Sequence, residues 1–172
     1  MGQRDANMKP ALLVIDIQNA WLDGNADLKK SVHKRIDVIN GAIGWFRRNR
    51  LPIVVIYHED KERGAIPGTK PFEFPDTVDI DSSDIKITKR YPNAFGKTEL
   101  EATLRREGCD TVVIVGLSAS GCALATFFGA LDCDFTPYLV RDGVASHIEE
   151  HVRFAEEICE TLNIGSFDKT LC

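Results

Sequence analysis

The sequence predicts one α/β domain built around a mostly parallel sheet, and three observations predict it. Short, continuous apolar segments rich in β-branched residues recur along the chain, and helical patterns lie between them. The length of 172 residues allows one ordinary domain. We therefore expect a doubly wound sheet formed by residues 1–172 as a single domain, with residues 1–9 as a flexible N-terminus.

The predicted strands are of two kinds. Continuous hydrophobicity indicates a strand buried on both faces, as in a parallel sheet. Alternation of apolar and polar residues, seen at residues 84–89, suits an edge or half-covered strand. The continuous segments are residues 11–15, 53–57, 111–115 and, more weakly, 135–140.

The predicted helices have apolar residues three and four positions apart. They cover residues 28–46, 100–108, 122–131 and 151–162. Residues 59–83 have no sustained periodicity and contain several glycines and prolines. A loop of this length in a compact domain is usually functional or disordered. Because it follows a strand, we expect it over the carboxyl edge of the sheet, where ligands of open α/β folds bind.

Composition excludes several classes of protein. The net charge of −5 argues against a general nucleic-acid binder. No apolar run reaches the roughly 20 residues that span a bilayer, and the polar N-terminus does not suit a signal peptide. The five cysteines are irregularly spaced without a C-x-x-C pair, which argues against a zinc ribbon or a thioredoxin-like site. We expect a cytoplasmic protein with reduced thiols, a small-molecule substrate, and neither a membrane nor a nucleic-acid partner.

Three polar side chains lie near the carboxyl ends of predicted strands. Asp16 directly follows the first strand, Lys89 ends the alternating strand, and Cys122 begins a helix just after the strand at residues 111–115. If the strands are parallel, all three meet at one rim. An acid, a cation and a thiol are the parts of an activated nucleophile. Taken singly, each has an ordinary explanation: a turn residue, a solvated edge charge and a packed thiol.

The position of Cys122 favours it over the other cysteines as the nucleophile. A helix N-terminus and a nearby Lys89 ammonium both favour the thiolate. Asp16 could take the thiol proton and return it to a leaving amine. The small residues at 118–121 would let backbone N–H groups approach a substrate oxygen, as an oxyanion hole requires.

Ordered motifs also give the chain a resemblance to a known family. They read Leu-Leu-Val-Ile-Asp-Ile-Gln-Asn up to Asn19, Ile-Thr-Lys-Arg-Tyr-Pro-Asn-Ala-Phe up to Phe95, and Val-Ile-Val-Gly-Leu-Ser-Ala-Ser-Gly-Cys-Ala-Leu-Ala-Thr up to Thr126. A Val-Arg-Asp-Gly-Val-Ala-Ser segment follows and ends at Ser146. With these motifs, residues 11–167 resemble the isochorismatase-like cysteine hydrolase superfamily.

The resemblance implies a Rossmann-like, three-layer α/β/α sandwich that assembles as a homo-oligomer. It implies a catalytic triad of Asp16, Lys89 and Cys122. It also implies a cis peptide bond between Leu117 and Ser118, with the backbone N–H groups of Ser118 and Cys122 forming the oxyanion hole. The expected reaction is cleavage of a C–N bond in a small amide or ureido compound through a thioester, without a cofactor.

The chain departs from parts of the family pattern. Metal-dependent nicotinamidases carry an Asp/His cluster after the second strand, whereas only His58 occurs between that strand and Lys89. We therefore expect no metal. The usual Thr between the cis peptide and the cysteine is Ala119 here, and the usual Val after the cysteine is Ala123. Both changes could reshape the pocket wall.

Four residues near the predicted rim are candidate substrate contacts: Trp21, Tyr57, His58 and Phe95. Aromatic residues at a strand end also serve simply as core or lid packing. Two other functions remain as alternatives. One is a catalytically degenerate binding or regulatory module on the same fold. The other is a flavodoxin-like nucleotide binder, which the lack of a G-x-G-x-x-G or Walker pattern disfavours.

Overall fold

The computed structural model describes residues 8–171, and its centre is a six-stranded sheet. The strand order is β3-β2-β1-β4-β5-β6, and every neighbouring pair is parallel. The expected flexible N-terminus at residues 1–9 lies mostly outside the described residues. The strands are β1 (Pro10–Ile15), β2 (Ile53–His58), β3 (Ile85–Lys89), β4 (Thr111–Leu117), β5 (Thr136–Ala145) and β6 (Thr161–Leu162).

Helices cover both faces of the sheet and form the three layers that were predicted. One face packs against α2 and α6, and the other packs against α3, α4 and α5. Among the described residues, no helix is both long and apolar enough to cross a membrane. The helices are α1 (Asn19–Leu22), α2 (Ala26–Arg48), α3 (Leu100–Arg106), α4 (Cys122–Asp132), α5 (Glu149–Ile158) and α6 (Phe167–Thr170).

Alternation along β1 shows why its sequence is continuously apolar. Leu12 and Val14 pack on the α2 face, whereas Leu13 and Ile15 pack on the opposite face, and all four are fully buried. A strand between two helical layers needs apolar side chains in both directions. Strand β1 ends directly before Asp16. The packing of β1 in the core therefore fixes the position of Asp16 at the carboxyl edge of the sheet.

The C-terminal region differs from the prediction. The helix predicted at residues 151–162 is Glu149–Ile158, and the chain is extended again at Cys159. The next residues form the short edge strand β6, in which Leu162 pairs with Val140 of β5. The prediction was wrong here because a buried leucine at helical spacing also fits a strand that packs on the same core.

Strand β5 is longer than its predicted range of 135–140 and continues to Ala145. Its register against β4 shifts between Ile114 and Gly116, so a bulge interrupts the pair. Beyond the bulge, Gly116 and Leu117 pair with Val144 and Ala145. The carbonyl of Ala145, at the end of β5, accepts the Ala119 N–H at 2.9 Å and so holds the segment that leads to Cys122.

The long connection between β2 and β3 lies at the carboxyl edge of the sheet, as predicted. It contains an antiparallel bridge between Asp60 and Ala65 and a short 3-10 helix at Lys70–Phe72. Phe72 stacks on Tyr57 of β2 with the ring centroids 5.0 Å apart. The connection is therefore fastened to the core and forms one wall above the sheet edge.

Candidate active site

Four chemically active side chains meet at the carboxyl edge of the sheet. Asp16 follows β1, His58 ends β2, Lys89 ends β3 and Cys122 begins α4. Parallel pairing places His58 directly opposite Lys89. Asp16 has a φ of +55°, a conformation that only a few per cent of non-glycine residues adopt and that Asp tolerates better than most. The fold therefore brings together residues that are far apart in sequence.

The Lys89 ammonium lies at the centre of this group. Its Nζ is 2.8 Å from Asp16 Oδ2, 3.2 Å from Cys122 Sγ and 3.2 Å from His58 Nδ1. Asp16 and Lys89 are both almost completely buried, with 3% and 1% of their surfaces exposed. A buried carboxylate and a buried ammonium each need a partner of opposite charge. Here each supplies the other.

His58 is the fourth member of the cluster and lies between the acid and the thiol. Its Nδ1 is 3.7 Å from Asp16 Oδ2 and 3.8 Å from Cys122 Sγ. The prediction gave His58 the role of a substrate contact. The structure places it in contact with Asp16, Lys89 and Cys122.

The ligand-type atoms of Asp16, His58 and Cys122 lie within 4.8 Å of one another, which is a spacing that could hold a metal ion. The Lys89 ammonium, however, is within hydrogen-bonding distance of the same three atoms. A cation placed among them would be repelled by Lys89 at close range. The Lys89 ammonium therefore already supplies the positive charge that Asp16, His58 and Cys122 would otherwise attract.

One expectation about Cys122 needs correction. Its helix position and Lys89 were expected to favour the thiolate, but the pKa of the thiol is raised to about 12. Burial is the main cause, and the negative charge of Asp16 adds to it, while Lys89 acts in the opposite direction. The resting sulfur is therefore a protonated thiol next to a carboxylate that can take its proton.

The segment between β4 and α4 holds two free backbone donors near the thiol. The Leu117–Ser118 peptide bond is cis, the geometry that the family resemblance implies. The N–H of Ala119 donates to the Ala145 carbonyl at 2.9 Å, and that of Ala123 donates to the Ser118 carbonyl at 3.2 Å. By contrast, the N–H groups of Ser118 and Cys122 have no acceptor among the described residues.

A cavity of about 580 Å³ opens above the cluster. Of the predicted substrate contacts, Trp21 and His58 line it, and their rings lie 5.6 Å apart. Its lining residues are Asp16, Ala20, Trp21, Asn25, Leu28, His58, Asp60, Arg63, Leu117, Ser118, Cys122 and His147.

Tyr57 and Phe95 do not line the cavity, so their predicted placement was wrong. Tyr57 is 2% exposed and packs between Phe72 and Phe74 on the α2 face, because neighbouring strand residues point to opposite faces. Phe95 packs against Phe135 in the core on the other face. Both rings therefore pack with the hydrophobic core and do not face the cavity.

Sequence reasoning missed three residues that shape the site. Gln18 is fully buried and bonded to both His58 and Trp21. Arg63 and His147 line the cavity from loops. The position of Gln18, an amide two residues after Asp16 in the strand-end motif, could have indicated its role. No periodic signal exists for the other two.

Comparison with known proteins gives relatives across most of the chain. A Bacillus subtilis isochorismatase family protein, YddQ, is 27% identical over 157 residues, which cover 88% of this chain and 87% of that protein. Maleamate amidohydrolase of Pseudomonas putida is 32% identical over 90 residues, covering 52% of this chain and 42% of that enzyme.

A solved structure agrees with these relatives. N-carbamoylsarcosine amidase from Thermoplasma acidophilum superposes with a TM-score of 0.75 and 27% identity, covering 95% of this chain and 93% of that one. The family model of the isochorismatase domain matches residues 10–161. Because that match runs from the start of β1 into β6, the chain belongs to the isochorismatase family of hydrolases.

Proposed function

We propose that the protein hydrolyses a C–N bond in a small amide or ureido compound, with Cys122 as the nucleophile. The observation that carries this proposal is the position of the Lys89 ammonium, which contacts Asp16 Oδ2 at 2.8 Å and Cys122 Sγ at 3.2 Å beneath a cavity. A thiol, a base and a fixed cation in contact are the requirements of covalent acyl transfer.

The first step is proton transfer coupled to attack. Asp16 Oδ1 is buried and accepts no hydrogen bond from a described residue, so it has a lone pair for the Cys122 proton. As Asp16 takes that proton, Sγ forms a bond to the carbonyl carbon and the C=O electron pair moves to oxygen. The free N–H groups of Ser118 and Cys122 donate to this oxyanion. Lys89 stabilises the negative charge on the sulfur while it develops.

The second step breaks the C–N bond. The oxyanion collapses, and Asp16 returns the proton to the departing nitrogen, which leaves a thioester on Cys122. A water molecule then adds to the thioester carbon and gives its proton to Asp16. When the C–S bond breaks, the thiolate takes that proton back, and the acid product is released. The cycle restores every group without a cofactor.

The names of two relatives support this class of substrate. Maleamate amidohydrolase and N-carbamoylsarcosine amidase are amide-bond hydrolases by name. Their identities to this chain are 32% over a partial match and 27% over most of the domain. The chain shares the fold with the second of them, and the contacts among its acid, cation and thiol support the same class of chemistry.

The test is a search for the acyl-enzyme. The protein is incubated with a panel of small amides and ureido compounds, quenched in acid and weighed intact by mass spectrometry. We expect an adduct equal to the acyl group, mapped to Cys122, together with release of the amine. Cys122→Ala should show neither. Cys133→Ala is the matched control, because Cys133 caps the opposite end of the same helix, and it should retain both.

Two results would contradict the proposal. Turnover by Cys122→Ala at the parental rate would show that the sulfur is not the nucleophile. Binding of panel compounds to the wild-type protein without any adduct or amine release would instead favour the degenerate binding module on the same fold.

A further inference from the structure

The connection after β2 carries a closed turn at the mouth of the cavity. Asp60 and Ala65 exchange backbone hydrogen bonds of 3.0 and 2.9 Å, which close the turn at its base. Oδ1 of Asp60 also accepts the N–H groups of Glu62 and Arg63 at 3.0 and 3.2 Å. These bonds fix the backbone that presents Arg63 above the site.

The Arg63 guanidinium lies over the ring of Trp21, which is itself hydrogen-bonded to Gln18. Its Cζ is 5.9 Å from the centroid of the Trp21 ring. The Trp21 indole N–H donates to Gln18 Oε1 at 3.2 Å, and the same oxygen accepts the His58 N–H at 2.8 Å. A continuous set of contacts therefore runs from His58 to Arg63.

The donors at the end of this side chain are free. Only Arg63 Nε approaches a carboxylate, at 3.8 Å from Asp60 Oδ2, and the terminal nitrogens donate to no described residue. Arg153 shows the contrast, since its Nη2 lies 2.7 Å from the carboxylate of Glu150 three residues earlier. Asp60 is turned toward the backbone, and the fork of Arg63 remains open.

Arg63 gives the cavity lining a cation whose two terminal nitrogens have no partner among the described residues. Asp16 is paired with Lys89. Asp60 holds the turn through Oδ1 and lies 3.8 Å from Arg63 Nε through Oδ2, which leaves the two terminal nitrogens of Arg63 available to a ligand. A guanidinium fork matches the two oxygens of a carboxylate better than any other side chain does. The cation–π contact with Trp21, at 5.9 Å from Cζ to the ring centroid, would help to orient the fork.

We propose that Arg63 binds a carboxylate of the substrate, so that the protein acts on small amides or ureido compounds that carry a second, anionic carboxyl group. This inference rests on the proposed function and names the substrate class for it. Arg63 is a specificity residue in this scheme: it touches the substrate away from the bond that breaks, and Cys122 remains the reacting group.

The kinetic test compares acids with matched neutral esters. The probes are the monoamides of succinic and glutaric acids and the methyl esters of these monoamides. We expect the wild-type protein to prefer the acids, and Arg63→Gln to reduce the ratio of kcat/KM for acid over ester by about tenfold or more. Arg63→Lys should lie between them, because it keeps the charge without the fork. Arg153→Gln, an equally exposed arginine outside the cavity, should leave the ratio unchanged.

A binding test separates this inference from the proposed reaction. In the Cys122→Ala background, titration calorimetry measures the affinity of each acid and ester without turnover. We expect tighter binding of the acids, weakened about tenfold by Arg63→Gln and reduced by added salt. Equal affinity for acid and ester, or no binding of either, would overturn the inference even if hydrolysis of another amide is found. Tighter binding of the acids in this background, together with no hydrolysis of any panel compound by the wild-type protein, would support the inference about Arg63 and count against the proposed reaction.

Discussion

The side-chain amide of Gln18 bonds both backbone polar groups of His58. Its Oε1 accepts the His58 N–H at 2.8 Å, and its Nε2 donates to the His58 carbonyl at 3.2 Å. The same amide also donates to the Phe72 carbonyl at 2.8 Å and accepts the Trp21 indole N–H at 3.2 Å. One fully buried side chain therefore joins the end of β2, the loop wall and the ring under Arg63.

Replacing Gln18 with Glu should destabilise the protein and disturb the site. The carboxylate keeps the shape but cannot donate to the carbonyls of His58 and Phe72, so buried acceptors would face each other. We expect a loss of about 2–4 kcal/mol in the free energy of unfolding, measured by urea denaturation, and a matching loss of activity.

Asn40 offers a matched control for Gln18. It makes the same pair of bonds, from Nδ2 to the Thr77 carbonyl and from the Asp79 N–H to Oδ1, at the protein surface. Asn40→Asp should cost less than about 1 kcal/mol, because water can replace the lost bonds. Equal costs for Gln18→Glu and Asn40→Asp would show that burial of the Gln18 amide is not what makes it important.

Replacing Lys89 with Met should remove activity and reduce stability. The methionine fills a similar volume but leaves the Asp16 carboxylate buried without its partner at 2.8 Å. Breaking a buried ion pair from one side costs about 3–5 kcal/mol. Urea denaturation measures the loss, and amine release from the panel compounds measures the activity.

The double variant Asp16→Asn with Lys89→Met separates charge from packing. It removes both charges, so we expect it to recover a large part of the stability lost in Lys89→Met while remaining inactive. If the double variant were less stable than Lys89→Met by the full cost of Asp16→Asn alone, the two groups would not be coupled in the way their distance implies.

The raised pKa of Cys122 predicts a slow reaction with iodoacetamide at neutral pH. Burial and the Asp16 charge hold the thiol protonated up to a pKa of about 12, so the thiolate fraction should grow about tenfold per pH unit across the alkaline range in which the fold is stable. The measurement is the rate of carbamidomethylation at Cys122 between about pH 7 and 10 by peptide mass analysis. Glutathione is the control, and it should react faster at each pH below its own pKa.

A plateau in that rate below about pH 9 would contradict this prediction, because it would mean that Lys89 outweighs burial. Denaturation should abolish the difference from glutathione, since unfolding removes the causes of the shift.

Replacing Gly116 with Ala should destabilise the sheet directly beneath the site. Gly116 has a φ of +117°, and a Cβ there would lie 2.2 Å from the Ile15 carbonyl oxygen, where β1 and β4 pair. The expected cost is more than about 3 kcal/mol by urea denaturation. Gly24 is the control, because it has a φ of +82° but no atom within 4 Å of an added Cβ among the described residues. Gly24→Ala should cost about 1–2 kcal/mol, which is the conformational part alone.

The strands and the longest helix were predictable because their patterns are set by burial. Continuous apolar runs located β1, β2 and β4, and the helical spacing from Leu28 to Phe46 located most of α2. The two-residue strand β6 was not predictable, because it is too short to carry a period and is defined only by its pairing with β5. The helices α1 and α6 were not predicted either, because four residues are too few to show a helical period.

The site was predictable where strand order alone decides it. Asp16, Lys89 and Cys122 follow from the rule that the carboxyl ends of parallel strands share an edge. The wrong placement of Tyr57 shows what that rule omits: one residue along a strand reverses the direction of the side chain. The raised pKa of Cys122 also depends on burial in three dimensions, which the helix position of the residue does not reveal.

The floor of the cavity and one of its walls come from different parts of the chain: Asp16, His58 and Cys122 lie at the sheet edge, and Arg63 belongs to the connection between β2 and β3. That connection is anchored to Gln18 through the main-chain carbonyl of Phe72, which a residue of any type would supply. Under the proposed function, exchange of this segment would change which substrates bind and would leave Asp16, Lys89 and Cys122 in place. The proposed substrate preference could therefore be transferred between related proteins by exchanging the connection between β2 and β3.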